Sequence, residues 1–365
     1  MSTDAVIARI ECAAYSIPTD APESDGTIEW DRTTLVVTEA HAGDKTGLGY
    51  TYCHSAVVPL IARTLAPEID GHNAFAIEES WMAMVRIVRN IGWPGVSACA
   101  ISAVDIALWD LKAKLLDVPL ATLLGPARTR VPVYGSGGFT SYTNGKLADQ
   151  LSGWVQDGCA FVKMKVGREP DKDLGRVEAA RNAIGDAQLF VDANGGYSRK
   201  QALALADAFS NIGVTWFEEP VSSDDLEGLR LIRNSGPSGM DIAAGEYGYT
   251  PFYFRRMLEA GAVDVLQADA TRCGGVTGFL RAAAICDAHG IPFSSHCGPS
   301  IHLHPACAAP RLRHMEWFHD HVRIEQMLFD GAPTLREGHI EPDFSRPGHG
   351  LAFRKADAER FRIDP

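Results

Sequence analysis

Two short stretches of this 365-residue sequence carry side chains able to handle protons. In Phe161-Val-Lys-Met-Lys-Val166 the two-residue period of a strand sends Lys163 and Lys165 to one side, and Val162, Met164 and Val166 to the other. Two ammonium groups in one pocket disfavour each other's protonation. One lysine is therefore expected with its pKa lowered toward that of a base near neutral pH. Leu189-Phe-Val-Asp-Ala-Asn194 ends with Asp192 and Asn194 on a common face, where a carboxylate can hold a hard cation. The chemistry suggested is a lysine base facing a metal-bound carboxylate substrate. Each motif alone also suits ordinary surface, because Lys-x-Lys is frequent on solvated edge strands and Asp-x-Asn-Gly-Gly makes a good turn. The weight therefore falls on what the other elements bring to the same place.

After Arg130, apolar runs of about five residues alternate with amphipathic helical stretches, the pattern of parallel strands joined by crossover helices. The runs fall at 131–134, 161–166, 189–192, 214–219, 241–245, 263–267, 292–295 and, less clearly, 314–317. A glycine able to end a helix in the left-handed region precedes nearly every run: Gly158, Gly185, Gly213, Gly239, Gly261 and Gly290. Eight such runs predict a closed parallel barrel. No Gly-x-Gly-x-x-Gly opens a helix after the first run, which counts against a dinucleotide fold.

Before the barrel, strand-like stretches at 5–15, 33–39 and 47–53 predict a small antiparallel sheet, and helical periodicity follows at 57–65, 74–90 and 96–116. Pro119 and Gly125-Pro126 mark a boundary. The expected division is an α+β capping domain over 1–128, a barrel over 129–330 and a segment over 331–365 that returns to the cap. Segments at about 18–29 and 50–56 are candidate lids. The first, rich in Pro, Gly and acids, reads equally well as a floppy loop.

In a parallel barrel the chemistry collects at the C-terminal strand ends. Reading those ends in order gives Lys163 and Lys165, Asp192 and Asn194, Glu218 and Glu219, Glu246, Asp269, His296, and Glu316. Asp192, Glu218 and Glu246 come from three neighbouring strands, and three oxygen ligands favour a hard divalent ion such as Mg2+. Glu218 and Glu219 face opposite ways, so Glu218 is assigned to the metal and Glu219 to a supporting position behind it. Asp269 beside His296 fixes the imidazole tautomer and makes an acid/base group across the pocket from Lys165. Glu316, if protonated, could donate to an oxyanion. Removing the α-proton of a carboxylate creates a second negative charge, and cation, lysine and proton donor all stabilise the enediolate.

A net charge of -12 excludes an extended nucleic-acid surface, which needs clustered Lys and Arg. The eight cysteines are dispersed without Cys-x-x-Cys, as expected of reduced thiols in a cytoplasmic enzyme. Arg9 and Glu11 interrupt the apolar residues of the first stretch, which reads as neither signal peptide nor membrane span.

With these residues in hand, the sequence resembles the enolase superfamily, and within it the mandelate racemase subgroup. The matching motifs are Ala107-Leu-Trp-Asp-Leu-Lys-Ala-Lys114, Lys163-Met-Lys165, Val191-Asp-Ala-Asn194, Trp216-Phe-Glu-Glu-Pro220, Ala244-Gly-Glu246, the stretch from Gln267 to Gly278, Ser294-Ser-His296 and Pro347-Gly-His-Gly-Leu351. The resemblance implies a modified TIM (β/α)7β barrel under an N-terminal α+β cap and Mg2+ on Asp192, Glu218 and Glu246. It implies Lys165 as base on one substrate face and the Asp269 and His296 pair on the other. Lys163 and Glu316 would contact the substrate carboxylate, and Asn194 is a candidate for the 2-hydroxyl. A homo-oligomer is implied by the resemblance alone. The muconate lactonising subgroup would want a lysine after the sixth strand, where the nearest basic residue is Arg272. The expected activity is dehydration of a sugar acid to a 2-keto-3-deoxy acid, with racemisation or epimerisation of a 2-hydroxy acid as the alternative. Polar lid groups near Asp20, Glu23, Asp25, Tyr50, Tyr52 and His54 are expected around the substrate, and the few basic ones weigh against a diacid. Two further readings are a zinc metallohydrolase using His302-Leu-His304 or His319-Asp-His321, and a binding protein that kept the fold without the chemistry.

Overall fold

The computed structural model describes residues 5–364; the outer ends of the expected domains, residues 1–4 and 365, lie outside them. Apolar runs buried on both faces become the eight strands β4 (Val131–Gly137), β5 (Phe161–Lys165), β6 (Gln188–Asp192), β7 (Val214–Glu218), β8 (Asp241–Ala244), β9 (Val265–Ala268), β10 (Phe293–Ser295) and β11 (Leu312–Phe318), numbered after three strands of the cap. Each pairs in parallel with the next, and Met315 to Phe318 of β11 pair with Val133 to Ser136 of β4, closing the ring. Side-chain alternation divides the apolar material. Val162 and Met164 face the outer helices, whereas Tyr134, Phe190 and Trp216 stack inside the barrel against His314. The connecting helices start on caps that the sequence supplies. Ser198 and Gln201 form a reciprocal capping box, and Thr143, Asp225 and Thr250 each accept a backbone N–H.

The cap is an antiparallel sheet of β1 (Arg9–Ser24), β2 (Glu29–Ala42) and β3 (Lys45–Tyr52), crossed by the helix Val96–Leu115. The helix lies close to β3 because two glycines permit it. A Cβ on Gly47 would stand 2.1 Å from the Ala107 carbonyl oxygen, and one on Gly49 2.2 Å from that of Ala103. After the barrel the chain adds the short strands β12 (Phe329–Asp330), β13 (His339–Ile340), β14 (Ala352–Phe353) and β15 (Arg362–Ile363). β15 pairs with β1, and β13 pairs antiparallel with β4. His349 locks this segment to the cap: its N–H donates to Asp110 at 2.9 Å, and its Nε2 lies 2.7 Å from the Leu48 carbonyl.

The cap also grips the loop after β9. Asp105 accepts the Thr277 N–H and hydroxyl at 3.0 and 2.7 Å, and the Ser102 hydroxyl accepts the Gly274 N–H at 2.8 Å. A Cβ on Gly275, whose φ is +77°, would stand 2.2 Å from the Asp105 carboxylate. The loop that carries Asp269 and Arg272 is thus clamped from outside the barrel.

One expectation fails here. Residues 18–27 form no floppy loop: β1 runs to Ser24, β2 starts at Glu29, and their pairing continues past a bulge between Pro18 and Glu23. The bulge accommodates the prolines that disguise the strand in the sequence. Only the tip turns, where Asp25 Oδ1 accepts the N–H groups of Thr27 and Ile28. This long hairpin bends over the barrel mouth. Gly26 packs so tightly on the loop after β6 that a Cβ would lie 2.1 Å from the Ala193 carbonyl oxygen. No helix among the described residues is long and apolar enough to cross a membrane.

Candidate active site

Parallel register brings Lys165, Asp192 and Glu218 side by side on β5, β6 and β7. Lys165 Nζ lies 2.5 Å from Asp192 Oδ2, and Asp192 Oδ1 accepts the N–H of Asn194 at 2.9 Å. Lys163, one alternation deeper and fully buried, reaches Glu218 at 2.7 Å, Glu316 at 2.8 Å and Asp192 at 3.5 Å. One ligand atom each from Asp192, Glu218 and Glu246 lie within 4.8 Å of one another. Across the mouth, His296 Nδ1 bonds Asp269 Oδ2 at 2.8 Å, and Asp269 Oδ1 accepts the Thr271 N–H at 2.7 Å.

The carboxylates outnumber their fixed cations. Asp192, Glu218, Glu219, Glu246, Asp269 and Glu316 are buried together, against Lys163, Lys165 and Arg272. Burial and the Asp192 charge push Glu218 up to about 8 despite Lys163. Burial and the Glu246 charge push Glu219 well above the carboxylate range. Asn194 Oδ1, Glu219 Oε1 and Glu246 Oε2 have no hydrogen-bond partner; Glu246 Oε2 lies 3.3 Å from His296 Nε2 but out of line for a bond. A pocket of crowded, under-bonded oxygens is what a hard divalent cation satisfies. Glu219 and Asn194 hold φ of +37° and +45°, strain concentrated beside the cluster.

Two electrostatic expectations are overturned. The repulsion between the lysines does not decide their pKa: burial and the Lys163 charge both lower Lys165, but the Asp192 carboxylate outweighs them and drives the pKa up, and Glu218 and Glu316 outweigh burial for Lys163. Nor is Glu316 a protonated donor. Burial opposes its charge, yet Lys163 and His296 hold it far below the usual carboxylate range, and it accepts from Ser136, Lys163 and the Cys297 N–H. The sequence displays like charges along one strand, but it hides the opposite charges that neighbouring strands deliver. His296 is raised: burial lowers it, and Glu246 followed by Asp269 outweighs that effect.

A cavity of about 430 Å³ opens over this floor, lined among others by Lys165, Asn194, Glu246, Arg272 and His296, with Asp25, Trp30, Arg32, Tyr52 and His54 from the cap. The lid expectations divide. Asp25, Tyr52 and His54 line it, but Asp20 pairs with His319, Glu23 takes the Trp30 indole N–H, and Tyr50 is buried on Glu325. Trp30 and Arg32 were missed because they lie in β2, beyond the presumed loop. Arg272 was noted only as not being lysine, yet it contacts Glu246 at 3.4 Å and Asp269 at 3.6 Å. These arginines come from outside the two lid loops, in which few basic groups were expected. The zinc reading loses three of its four histidines to the backbone, and the fourth, His319, pairs with Asp20. His302 Nε2 accepts the Ala270 N–H, His304 Nδ1 that of Ala121, and His321 Nδ1 that of Gly298.

A closed parallel barrel with a carboxylate trio at its mouth, proton-carrying side chains on separate walls and an antiparallel cap defines the enolase class of fold. Comparison with known families agrees. Residues 24–125 match the mandelate racemase/muconate lactonizing enzyme N-terminal domain, and residues 146–358 match the enolase C-terminal domain-like model. The chain is 33% identical over 364 residues to 3,6-anhydro-alpha-L-galactonate cycloisomerase of Streptomyces coelicolor, covering 95% of this chain and 97% of that one. A mandelate racemase/muconate lactonizing enzyme-like protein from Rubrobacter xylanophilus superposes with a TM-score of 0.96 at 52% identity, covering 98% of this chain and all (100%) of the other. A variant of L-talarate/galactarate dehydratase, an enzyme of Salmonella typhimurium, liganded with Mg and L-glucarate, superposes with a TM-score of 0.91 at 26% identity, covering 99% and 93%. The chain belongs to the mandelate racemase/muconate lactonizing enzyme family of the enolase superfamily.

Proposed function

We propose that this enzyme removes the proton α to the carboxylate of a sugar acid and expels the 3-hydroxyl as water, leaving an enol that relaxes to a 2-keto-3-deoxy acid. One observation carries the reading: Lys165 and His296, each held by its own carboxylate, reach one cavity from β5 and β10, which stand three strands apart the short way round the ring. A substrate carbon between them meets a proton carrier on either face.

Asp192, Glu218 and Glu246 would hold magnesium, the ion bound with L-glucarate in the Salmonella relative. When bound, it supplies Lewis-acid stabilisation of negative charge on the substrate carboxylate. Lys163 adds a buried positive charge at the same end, and Glu316 with Ser136 keeps that ammonium oriented. Asn194 Oδ1, unbonded and beside Asp192, suits the 2-hydroxyl. With a cation on Asp192 offsetting the carboxylate charge that raises its pKa, Lys165 would be free to take the α-proton of one C2 configuration, and His296 takes that of the other. In the dehydration, His296, steadied by Asp269, protonates the departing 3-hydroxyl. The cap's hairpin seals the mouth through Ser24 and Thr140 and excludes water from the carbanionic step.

The same two carriers also favour a second reading, inversion at C2, in which the opposite residue returns the proton to the same carbon. The test is a panel of mono- and diacid sugars with Mg2+, scored for keto acid and then by proton NMR in deuterium oxide. A 3-deoxy product supports dehydration. Deuterium at C2 with inversion supports racemisation. Absence of α-exchange in every acid would sink both.

A further inference from the structure

The hairpin that bends over the barrel mouth meets the barrel through a cluster that the catalytic chemistry leaves unused. Asp20 lies within the bulge of β1 and Glu23 at its far edge, while His319 opens the helix His319–Leu328 directly after β11. One ligand atom each from Asp20, Glu23 and His319 lie within 4.8 Å of one another, and His319 Nε2 stands 2.9 Å from Asp20 Oδ2. None of the three lines the substrate cavity. We propose that Asp20, Glu23 and His319 form a second cation site, suited to a borderline divalent ion such as Zn2+, which pins the hairpin to the barrel.

Glu23 supplies the observation that points to a ligand. Its side chain is fully buried, the Trp30 indole N–H donates to Oε2 at 2.9 Å, and Oε1 has no hydrogen-bond partner. The Tyr142 hydroxyl is likewise buried and unpartnered, in surroundings charged by Glu23, Asp20 and Asp320. Leaving a carboxylate oxygen unpaired in the interior is costly, and a cation offsets that cost. The charge balance favours the same occupant. Glu23, Asp20 and Asp320 stand together, and the cation facing them, Arg323, is committed to Asp320 at 2.5 Å and to the Pro18 carbonyl at 2.7 Å. Burial and the Asp320 charge push Glu23 up to about 8, so that a proton sits where the ion would bind.

The donor set selects the ion. An imidazole with two carboxylates suits zinc, whereas the all-oxygen trio of Asp192, Glu218 and Glu246 suits the harder Mg2+. With bonds of about 2.0–2.2 Å, a tetrahedral zinc holds its ligand atoms about 3.4 Å apart, so the His319–Asp20 contact need open by only about half an ångström. The ion displaces the Glu23 proton and the one between His319 and Asp20, and water completes its shell. The Asp20 and His319 side chains are 44% and 25% exposed, which gives the ion a path to Glu23 from solvent. Because Asp25 and Trp30 of the same hairpin line the substrate cavity, an ion held here steadies that wall.

The proposal is independent of the reaction catalysed, since its readouts are metal binding and proteolysis. The full chain, saturated with Mg2+ to fill the trio of Asp192, Glu218 and Glu246, is titrated with Zn2+ in a calorimeter, and crystals of the complex are measured at the zinc absorption edge. The expected result is one zinc per chain with an anomalous peak among Asp20, Glu23 and His319. Asp20→Asn, His319→Gln and Glu23→Gln should each weaken zinc binding about tenfold or more, the first two at partly exposed positions where folding is not at stake. Glu246→Gln should leave this affinity unchanged. Bound zinc should also slow proteolysis within 18–29 in the parent and not in His319→Gln. Zinc found only at the Asp192 trio, zinc bound equally well by the parent and the three variants, or a hairpin cleaved at the same rate with and without zinc overturns the site.

Discussion

Lys163 and Glu316, carried by β5 and β11 and 153 positions apart in sequence, meet at 2.8 Å with both side chains buried. The ammonium lies 5.3 Å from the centre of the Tyr134 ring and within 4 Å of three carboxylates, those of Asp192, Glu218 and Glu316. Breaking a buried pair strands its partner's charge. Lys163→Met should therefore lower stability by about 3–5 kcal/mol in urea titration. The double variant Lys163→Met/Glu316→Gln should recover part of that loss, because the stranded anion is gone. Strictly additive losses would show that the two do not interact.

In the proposed reaction Asp269 acts through His296, whose Nδ1 it holds at 2.8 Å. Asp269→Asn preserves the bulk but removes the anion that orients and charges the imidazole. For the C2 epimer whose α-proton His296 would remove, α-deuterium exchange should slow by about 10²–10⁴, with less change in exchange for the epimer served by Lys165. Equal effects on α-deuterium exchange of both epimers would remove the division of labour.

Chelation should abolish turnover, and Mg2+ should restore it. Magnesium at a hundred times its dissociation constant should stabilise the fold by about 2.7 kcal/mol, readable as a rise in Tm. Glu246→Gln should weaken magnesium binding in calorimetry, since the site loses one of three anionic ligands. Unchanged affinity would displace Glu246 from the cation site.

The hairpin's closure depends on Gly26. With Ala193 and Val166 carbonyl oxygens 2.1 and 2.8 Å from any Cβ, both backbone atoms, Gly26→Ala cannot seat the tip without moving it. The expected result is faster proteolysis within 18–29 and a drop in kcat/KM, with the barrel's unfolding midpoint little changed. A variant as protease-resistant as the parent would show that the tip needs no such contact.

Glu23 sets a pH dependence of stability. Burial, then the Asp320 charge, pushes it up to about 8, while the Trp30 N–H opposes. A carboxyl whose folded pKa exceeds its unfolded value of 4.5 holds its proton longer in the native state. Stability is thus fully present below pH 4.5 and is lost as pH rises toward 8. Glu23→Gln should flatten this slope, gaining on the order of 4 kcal/mol relative to wild type between pH 5 and 9. Parallel pH profiles for the two proteins would refute the assignment.

Periodicity exposed much of this molecule before any coordinates. Lys163 and Lys165 share a face because strand alternation is local geometry, and barrel strand ends are readable because apolar runs stop where polar side chains begin. The hairpin was misread for an equally local reason: Pro18, Pro22 and three acidic residues between 18 and 27 mask a pairing that only its partner strand reveals.

Residue type and spacing therefore determined the barrel, its cap and the set of ionisable groups at its mouth. Tertiary structure alone decided the charge states and neighbours of those groups. Coulomb energy depends on distance, and Lys165 to Asp192, Lys163 to Glu316 and Arg272 to Glu246 become short only when strands from separate parts of the chain close into a ring.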